Sequence, residues 1–113
     1  MYHLQKSRLF KRQVQSFAKS YALDVNAGKA VALRFVDEVE ATTKFIAKNP
    51  LACSIYHDAK THDQLKLYEF RKWRVKNFPH SLFFRIDGDT IILEAIYAHK
   101  MDITGRFPSE FSS

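Results

Sequence analysis

At 113 residues, 46% hydrophobic and 27% charged, with only three glycines and three prolines, the chain has the balance of one ordered domain with a single core. It is too short for a core plus an elaborate cofactor domain. Eighteen Lys and Arg against twelve Asp and Glu leave a net charge of +6, which suits an anionic partner, either nucleic acid or an acidic protein that shields a basic surface. With one cysteine, Cys53, no intramolecular disulfide can form, and a reducing cytoplasm is the expected compartment. Beside Leu51 and Ala52, that cysteine reads as a small buried hydrophobe rather than a catalytic thiol. The opening "MYHLQKSRLFKRQ" lacks the apolar centre of a signal peptide, and no window reaches the roughly 18 apolar residues of a membrane span, so a soluble intracellular protein is expected.

In chain order, "YHLQKS" alternates loosely and predicts an opening strand, and Ser7 is placed to cap a helix beginning at Arg8. From Arg8 the apolar side chains of Phe10, Val14, Phe17, Ala18 and Tyr21 fall on one face of that helix, with Lys11, Arg12, Gln15 and Lys19 off it. "DVNAG" breaks the pattern, and Asn26 is the expected cap of a second helix. That helix carries Ala32, Phe35, Val36, Val39, Ile46 and Ala47 at helical intervals. It should end at "KNP", with Asn49 in the left-handed conformation and Pro50 unable to continue. Asp37, Glu38 and Glu40 read as a solvated helix face. A short turn between two helices predicts an antiparallel helical hairpin.

Residues 51–66 show no period and are expected to form a loop. Beyond it, "LYEFRKWRVK", "HSLFFRI" and "TIILEAIYA" are rich in aromatic and β-branched residues and predict three strands, with the "DGD" at 87–89 supplying a tight hairpin turn. The final "DITGRFPSEFSS" has no internal pattern and reads as a tail lying on the sheet through Phe107 or Phe111, or else mobile. The expected layout is α+β: an N-terminal strand, an antiparallel helical hairpin and a three-stranded antiparallel meander. The helices should cover one face of an antiparallel sheet, and the other face should stay open. One domain is expected over residues 1–107, with a tail at 108–113.

Between Lys66 and Arg85, six cations face only Glu69 before the Asp87 turn. In a regular strand, Lys72, Arg74 and Lys76 share one face, and Arg71, Trp73 and Val75 the other. Three aligned cations repel one another, so they suit solvent or an anionic partner, with Tyr68, Phe70 and Trp73 offering surfaces for base stacking. A plain solubilising face is the competing reading. His99 and Lys100 close the last strand near the Lys76 end of the basic strand. A histidine there can move a proton while Arg and Lys stabilise charge on a phosphorane, chemistry that needs no metal. A strand-end histidine satisfied by water is the simpler alternative. His3, His57, His62, His80 and His99 show no recognised zinc spacing, and no Gly-rich phosphate loop or nucleophile elbow is present.

The helical hairpin closing on "FIAKNP", followed by a basic strand and "NFPHSLFFRIDGDTIILEAIYAHKMD", resembles the RelE/ParE toxin superfamily of bacterial type II toxin-antitoxin pairs, and its ParE-like branch in particular. The likeness spans about residues 2–107 and is most specific over 74–102. Phe78 and Pro79 match the branch's Phe-Pro, and Arg85 matches the arginine after its central strand, with Phe84 where a Tyr is common. The branch's terminal His falls on His99 in one register and on Ala98 in another; Lys100 fits a basic position and Met101 does not. The resemblance implies a toxin neutralised by a cognate antitoxin and acting either on DNA gyrase or, in RelE-like fashion, as an endonuclease on ribosome-bound mRNA. A non-toxic nucleic-acid-binding relic of the fold is a third reading. Arg71, Lys72, Arg74, Lys76, Arg85 and Lys100 are the expected target- or nucleic-acid-binding residues and, under the nuclease reading alone, Arg74, Arg85 and His99 the catalytic ones, with no metal, cofactor or membrane expected.

Overall fold

In the computed structural model, which describes residues 2–55 and 69–99, the chain opens with β1 (His3–Lys6) and turns at Ser7 into helix α1 (Arg8–Leu23). Ser7 Oγ accepts the Phe10 N–H at 2.9 Å, the cap read from the sequence. The same hydroxyl donates to the Glu94 carbonyl at 2.7 Å, so the cap also ties α1 to the last strand.

The turn into α2 (Gly28–Lys48) is organised by Asp24 rather than by Asn26. Asp24 Oδ1 accepts the Asn26 N–H at 2.7 Å, the Asp24 carbonyl accepts the Gly28 N–H at 3.0 Å, and α2 begins without a side-chain cap. The far end of α2 also departs from expectation. Asn49 has φ −136°, outside the left-handed region, and stops the helix by donating its N–H to the Phe45 carbonyl at 2.9 Å, while Pro50 opens a 3-10 turn over Pro50–Ala52. A two-residue strand, β2 (Ser54–Ile55), then appears inside the expected loop. Arg71 draws it in by donating from Nη1 to the Cys53 carbonyl at 2.9 Å.

Strands β3 (Phe70–Arg74), β4 (His80–Asp87) and β5 (Thr90–Ala98) form the expected antiparallel meander. The order is β1-β5-β4-β3-β2, and β1 pairs parallel with β5, so the sheet formed by the described residues is mixed rather than antiparallel. The hairpin between β4 and β5 has Gly88 at φ +62°, and Asp89 does not share that conformation. The expected basic strand ends two residues early: Lys76 lies in a turn where Asn77 takes φ +67°, so it does not continue the Lys72 and Arg74 row.

Alternation along β5 is broken once. Phe83 pairs with Ala95 but Phe84 with Leu93, which leaves Glu94 as an extra residue in a β-bulge. Before the bulge Ile91 and Leu93 face the helices; after it Ile96 does. Beyond Lys6 and Leu93, β1 no longer pairs with β5, and α1 side chains take over the edge: Ser7 donates to the Glu94 carbonyl, and Gln13 Oε1 accepts the Ile96 N–H at 2.8 Å. Unpaired backbone groups of a partly buried edge are thereby satisfied by the helix that covers it.

Between helices and sheet lies a core of Phe10, Phe35, Val39, Ile46, Leu82, Phe84, Ile91, Leu93 and Ile96. Phe45 stacks on Trp73 at 4.7 Å, Phe17, Tyr21 and Phe35 surround the ring of His80, and Phe78 packs on Tyr21 and Phe35. The face away from the helices is not left open, contrary to expectation. Register puts Phe70, Phe83 and Tyr97 there, and each is at most 2% exposed, with Phe83 and Tyr97 edge to face at 5.8 Å. Strands buried on both faces read as near-continuous apolar runs, which "HSLFF" and "IILEAIYA" are. Residues 56–68 and 100–113, and with them His57, His62, Tyr68, Lys100 and the tail with Phe107 and Phe111, lie outside the described residues. Among the described residues no helix is long and apolar enough to cross a membrane.

Replacing Ser7 by Ala removes both the cap of α1 and the donor to Glu94. A loss of about 1–2 kcal/mol of unfolding free energy is expected from denaturant titration, against less than about 0.5 kcal/mol for Ser20→Ala on the exposed face of the same helix.

Candidate functional site

The sheet face opposite the helices carries three cross-strand rows. Phe70, Arg85 and Ile92 form one; Lys72, Phe83 and Ala95 the next; Arg74, Ser81 and Tyr97 the third. Because the bulge at Glu94 shifts the pairing by one residue, Ser81 stands opposite Tyr97 and the His99 N–H reaches the Pro79 carbonyl at 2.9 Å. The His99 ring then lies over Ser81, with Nε2 2.9 Å from Oγ. Arg74, exposed, is the cross-strand neighbour of Ser81, so Arg74, Ser81 and His99 gather at one end of this face.

The other candidates are placed differently. Arg85 lies four residues from Ser81 along β4, about 13 Å at 3.3 Å per residue, and its Nε donates to Glu94 Oε2 at 3.3 Å with both side chains largely covered. It therefore does not converge with His99. Arg71 points to the helix side, where it holds the Cys53 carbonyl and pairs with Glu69 Oε1 at 2.9 Å. Lys72 is exposed beside Phe83, and Lys76 is exposed in the turn after β3.

Two buried titratable groups lie on the helix side of the sheet. His80, 3% exposed among aromatic rings, has its pKa lowered to about 4, first by burial and then by the charge of His99. Its Nδ1 has no hydrogen-bond partner. Burial also pushes the Cys53 thiol up to about 11 against the pull of Arg71, so the sulfur is a protonated core atom, as its apolar flanks suggest.

Chemically, the cluster offers a cation, a hydroxyl and one imidazole. Ser81 is 8% exposed, which shields its oxygen from an incoming electrophile, and among the described residues no carboxylate bonds to His99. The arrangement can bind an anion and shuttle one proton. Ser81 had no signal in the sequence: counting strictly back from the Gly88 turn pairs it with Ile96, and only the bulge brings His99 within reach. Glu38 also departs from its reading as part of a solvated face. One of its carboxylate oxygens is buried without a partner beside a cleft, whereas Glu40 pairs with Lys6 at 3.6 Å.

Fold and site define a small α+β domain with a cationic, aromatic-centred sheet face backed by a helical hairpin. A family model described as the ParE toxin of type II toxin-antitoxin system, parDE, matches residues 4–103, and the chain belongs to this family. A solved chain of the chromosomal ParDE TA system from P. aeruginosa shares the fold, with a TM-score of 0.68 and 17% identity over 87% of this chain and 96% of that one. No curated protein matches significantly.

Lowering the pH should expose the burial of His80. Its folded pKa lies below the ordinary value near 6.5, so the unfolded chain binds the proton first and stability falls as pH drops from about 6.5 towards 4. The expected loss is on the order of 3 kcal/mol, read as the difference between the urea-unfolding profiles of the wild type and His80→Phe, which lacks the titrating group.

Proposed function

We propose that the protein is the toxin of a type II pair that arrests growth in the cytoplasm by binding DNA gyrase and is held inactive by a cognate antitoxin. Membership of the ParE family over residues 4–103 makes gyrase and an antitoxin the family-implied partners. The observation that carries the mode of action is the split of the cationic face. Arg74 stands exposed at one end, Arg85 is neutralised by Glu94 at the other, and among the described residues no carboxylate bonds to His99 as a second proton-transfer group. In-line cleavage of RNA calls for a proton acceptor and a proton donor around the reacting phosphate, together with charge stabilisation. A face with one imidazole and a separated arginine suits binding to an anionic or acidic surface better. Arg74 and Lys72 are the contacts we assign to the target, with Lys76 extending the same basic end.

The hydrogen bond between Ser81 and His99, beside Arg74, favours the nuclease as the second reading. In that case His99 moves the proton and Arg74 stabilises the phosphorane.

Purified protein should inhibit gyrase supercoiling, Arg74→Ala should require at least about tenfold more protein for the same inhibition, and His99→Ala should leave potency within about twofold. Supercoiling that persists at high excess of folded protein overturns the gyrase reading. Loss of translation on induced expression, abolished by His99→Ala, would establish the nuclease instead, and overexpression without any growth defect would favour the non-toxic relic.

A further inference from the structure

A second site lies on the helix side of the sheet, against the turn that also carries Lys76. Between α2 and the turn joining β3 to β4 is a cleft of about 460 Å³, lined by Val31, Arg34, Asp37, Glu38, Asn77 and Phe78. That size is within the range of small-ligand sites. Val31, Arg34 and Glu38 recur at helical spacing on one face of α2, with Asp37 beside them. The opposite wall is held by backbone: Asn77 sits at φ +67°, and the Phe78 N–H donates to the Val75 carbonyl, which fixes the Phe78 ring against Phe35 and Tyr21.

The charge of this cleft runs against that of the chain. Two carboxylates and one guanidinium line it, in a protein of net charge +6. Neither Asp37 nor Glu38 makes an ion pair among the described residues, and Glu38 Oε2 is buried without a hydrogen-bond partner, Arg34 one turn earlier on α2 included. A buried carboxylate oxygen without a donor is costly, and native structures rarely leave one so unless something else supplies the donor. Asn77 adds a side-chain carbonyl acceptor at the rim, and Phe78 an aromatic wall of the kind that cations favour.

We propose that this cleft is a seat for one basic side chain, an arginine or lysine, carried by a partner polypeptide. The donor that Glu38 lacks comes from the incoming guanidinium or ammonium, Asp37 screens it from Arg34, and the apolar stem lies along Val31 and Phe78. Arginine is the better occupant, because its planar fork can serve Glu38 and the Asn77 carbonyl together. As applied to the antitoxin, the inference rests on the reading of the protein as an antitoxin-bound toxin. An otherwise acidic antitoxin segment would then carry a basic residue at this point, and its register on the toxin would be set by opposite charges at two separate places. The cation site itself does not depend on that reading.

The test uses the full-length protein alone, with arginine amide as the probe followed by NMR. Saturable shifts confined to the amides of Val31, Asn77 and Phe78 are expected, weaker for lysine amide and absent for the uncharged glutamine amide. Glu38→Gln, isosteric but without the charge, should weaken arginine amide at least about tenfold, a loss typical of one charge-assisted hydrogen bond. Should that variant fold poorly, Asn77→Gly keeps the left-handed turn and removes the acceptor, and Asp37→Asn removes the exposed charge; each should weaken binding about threefold or more. Shifts that spread over the surface without saturating, an unchanged affinity in all three variants, or inorganic phosphate moving the same amides through Arg34 would overturn the proposal. None of these results bears on gyrase inhibition, so the cation site and the toxin reading fail separately.

Discussion

The β-bulge at Glu94 is the constraint on which both faces of the sheet depend. It turns Ile96 into the helix-facing core and Tyr97 and His99 to the other side. Strict alternation would have buried Tyr97 against the helices and put Ile96 on the far face, because a shift of one residue exchanges the two sides of a strand. The bulge also falls where β1 ends, and the strand edge beyond it is closed by Ser7 and Gln13 of α1. Helix, bulge and sheet face are therefore one unit, and Glu94 contributes its carbonyl to Ser7 and its carboxylate to Arg85.

This unit decides how the positive charge is distributed. Arg71 and Arg85 are absorbed by the fold: one holds the short edge strand to β3 and the other pairs with the bulge residue. Arg74 and Lys72 remain at the surface around a buried aromatic centre, next to the bond between Ser81 and His99. On the helix side Glu38, with one oxygen unpartnered among the described residues, and Asp37 give the molecule a local acidic pocket. A basic chain with an acidic cleft has two electrostatically distinct surfaces, and a partner that spans both meets opposite requirements at its two ends.

Much of this architecture was legible from pattern. The helix periodicities, the Ser7 cap and the hairpin around Gly88 rest on local physics: a hydroxyl at the right place, apolar residues every three or four positions, a glycine where φ must be positive. The misses share a cause. Asn26 and Asp24 are equally plausible turn residues, and the choice of Asp24 as the one that organises the turn depends on the chain path between the helices. The two-residue strand at Ser54 exists because Ser54 and Ile55 pair with Lys72 and Arg71 of β3, and Arg71 also reaches the Cys53 carbonyl, a contact eighteen residues apart in sequence. An open sheet face was expected because two helices can cover only one side, yet the same apolar runs that marked the strands also meant burial on both sides.

By itself, the sequence determined the class of fold, the order of helices and strands, the net charge and the resemblance to RelE/ParE toxins, since all of these rest on composition, short-range periodicity and motif order. Which arginines are exposed, which serine meets His99 and which glutamate lacks a partner were decided only in the tertiary structure. The reason is geometric: a single extra residue in β5 resets the register of everything after it, and no local preference of Leu93, Glu94 or Ala95 announces where that residue falls.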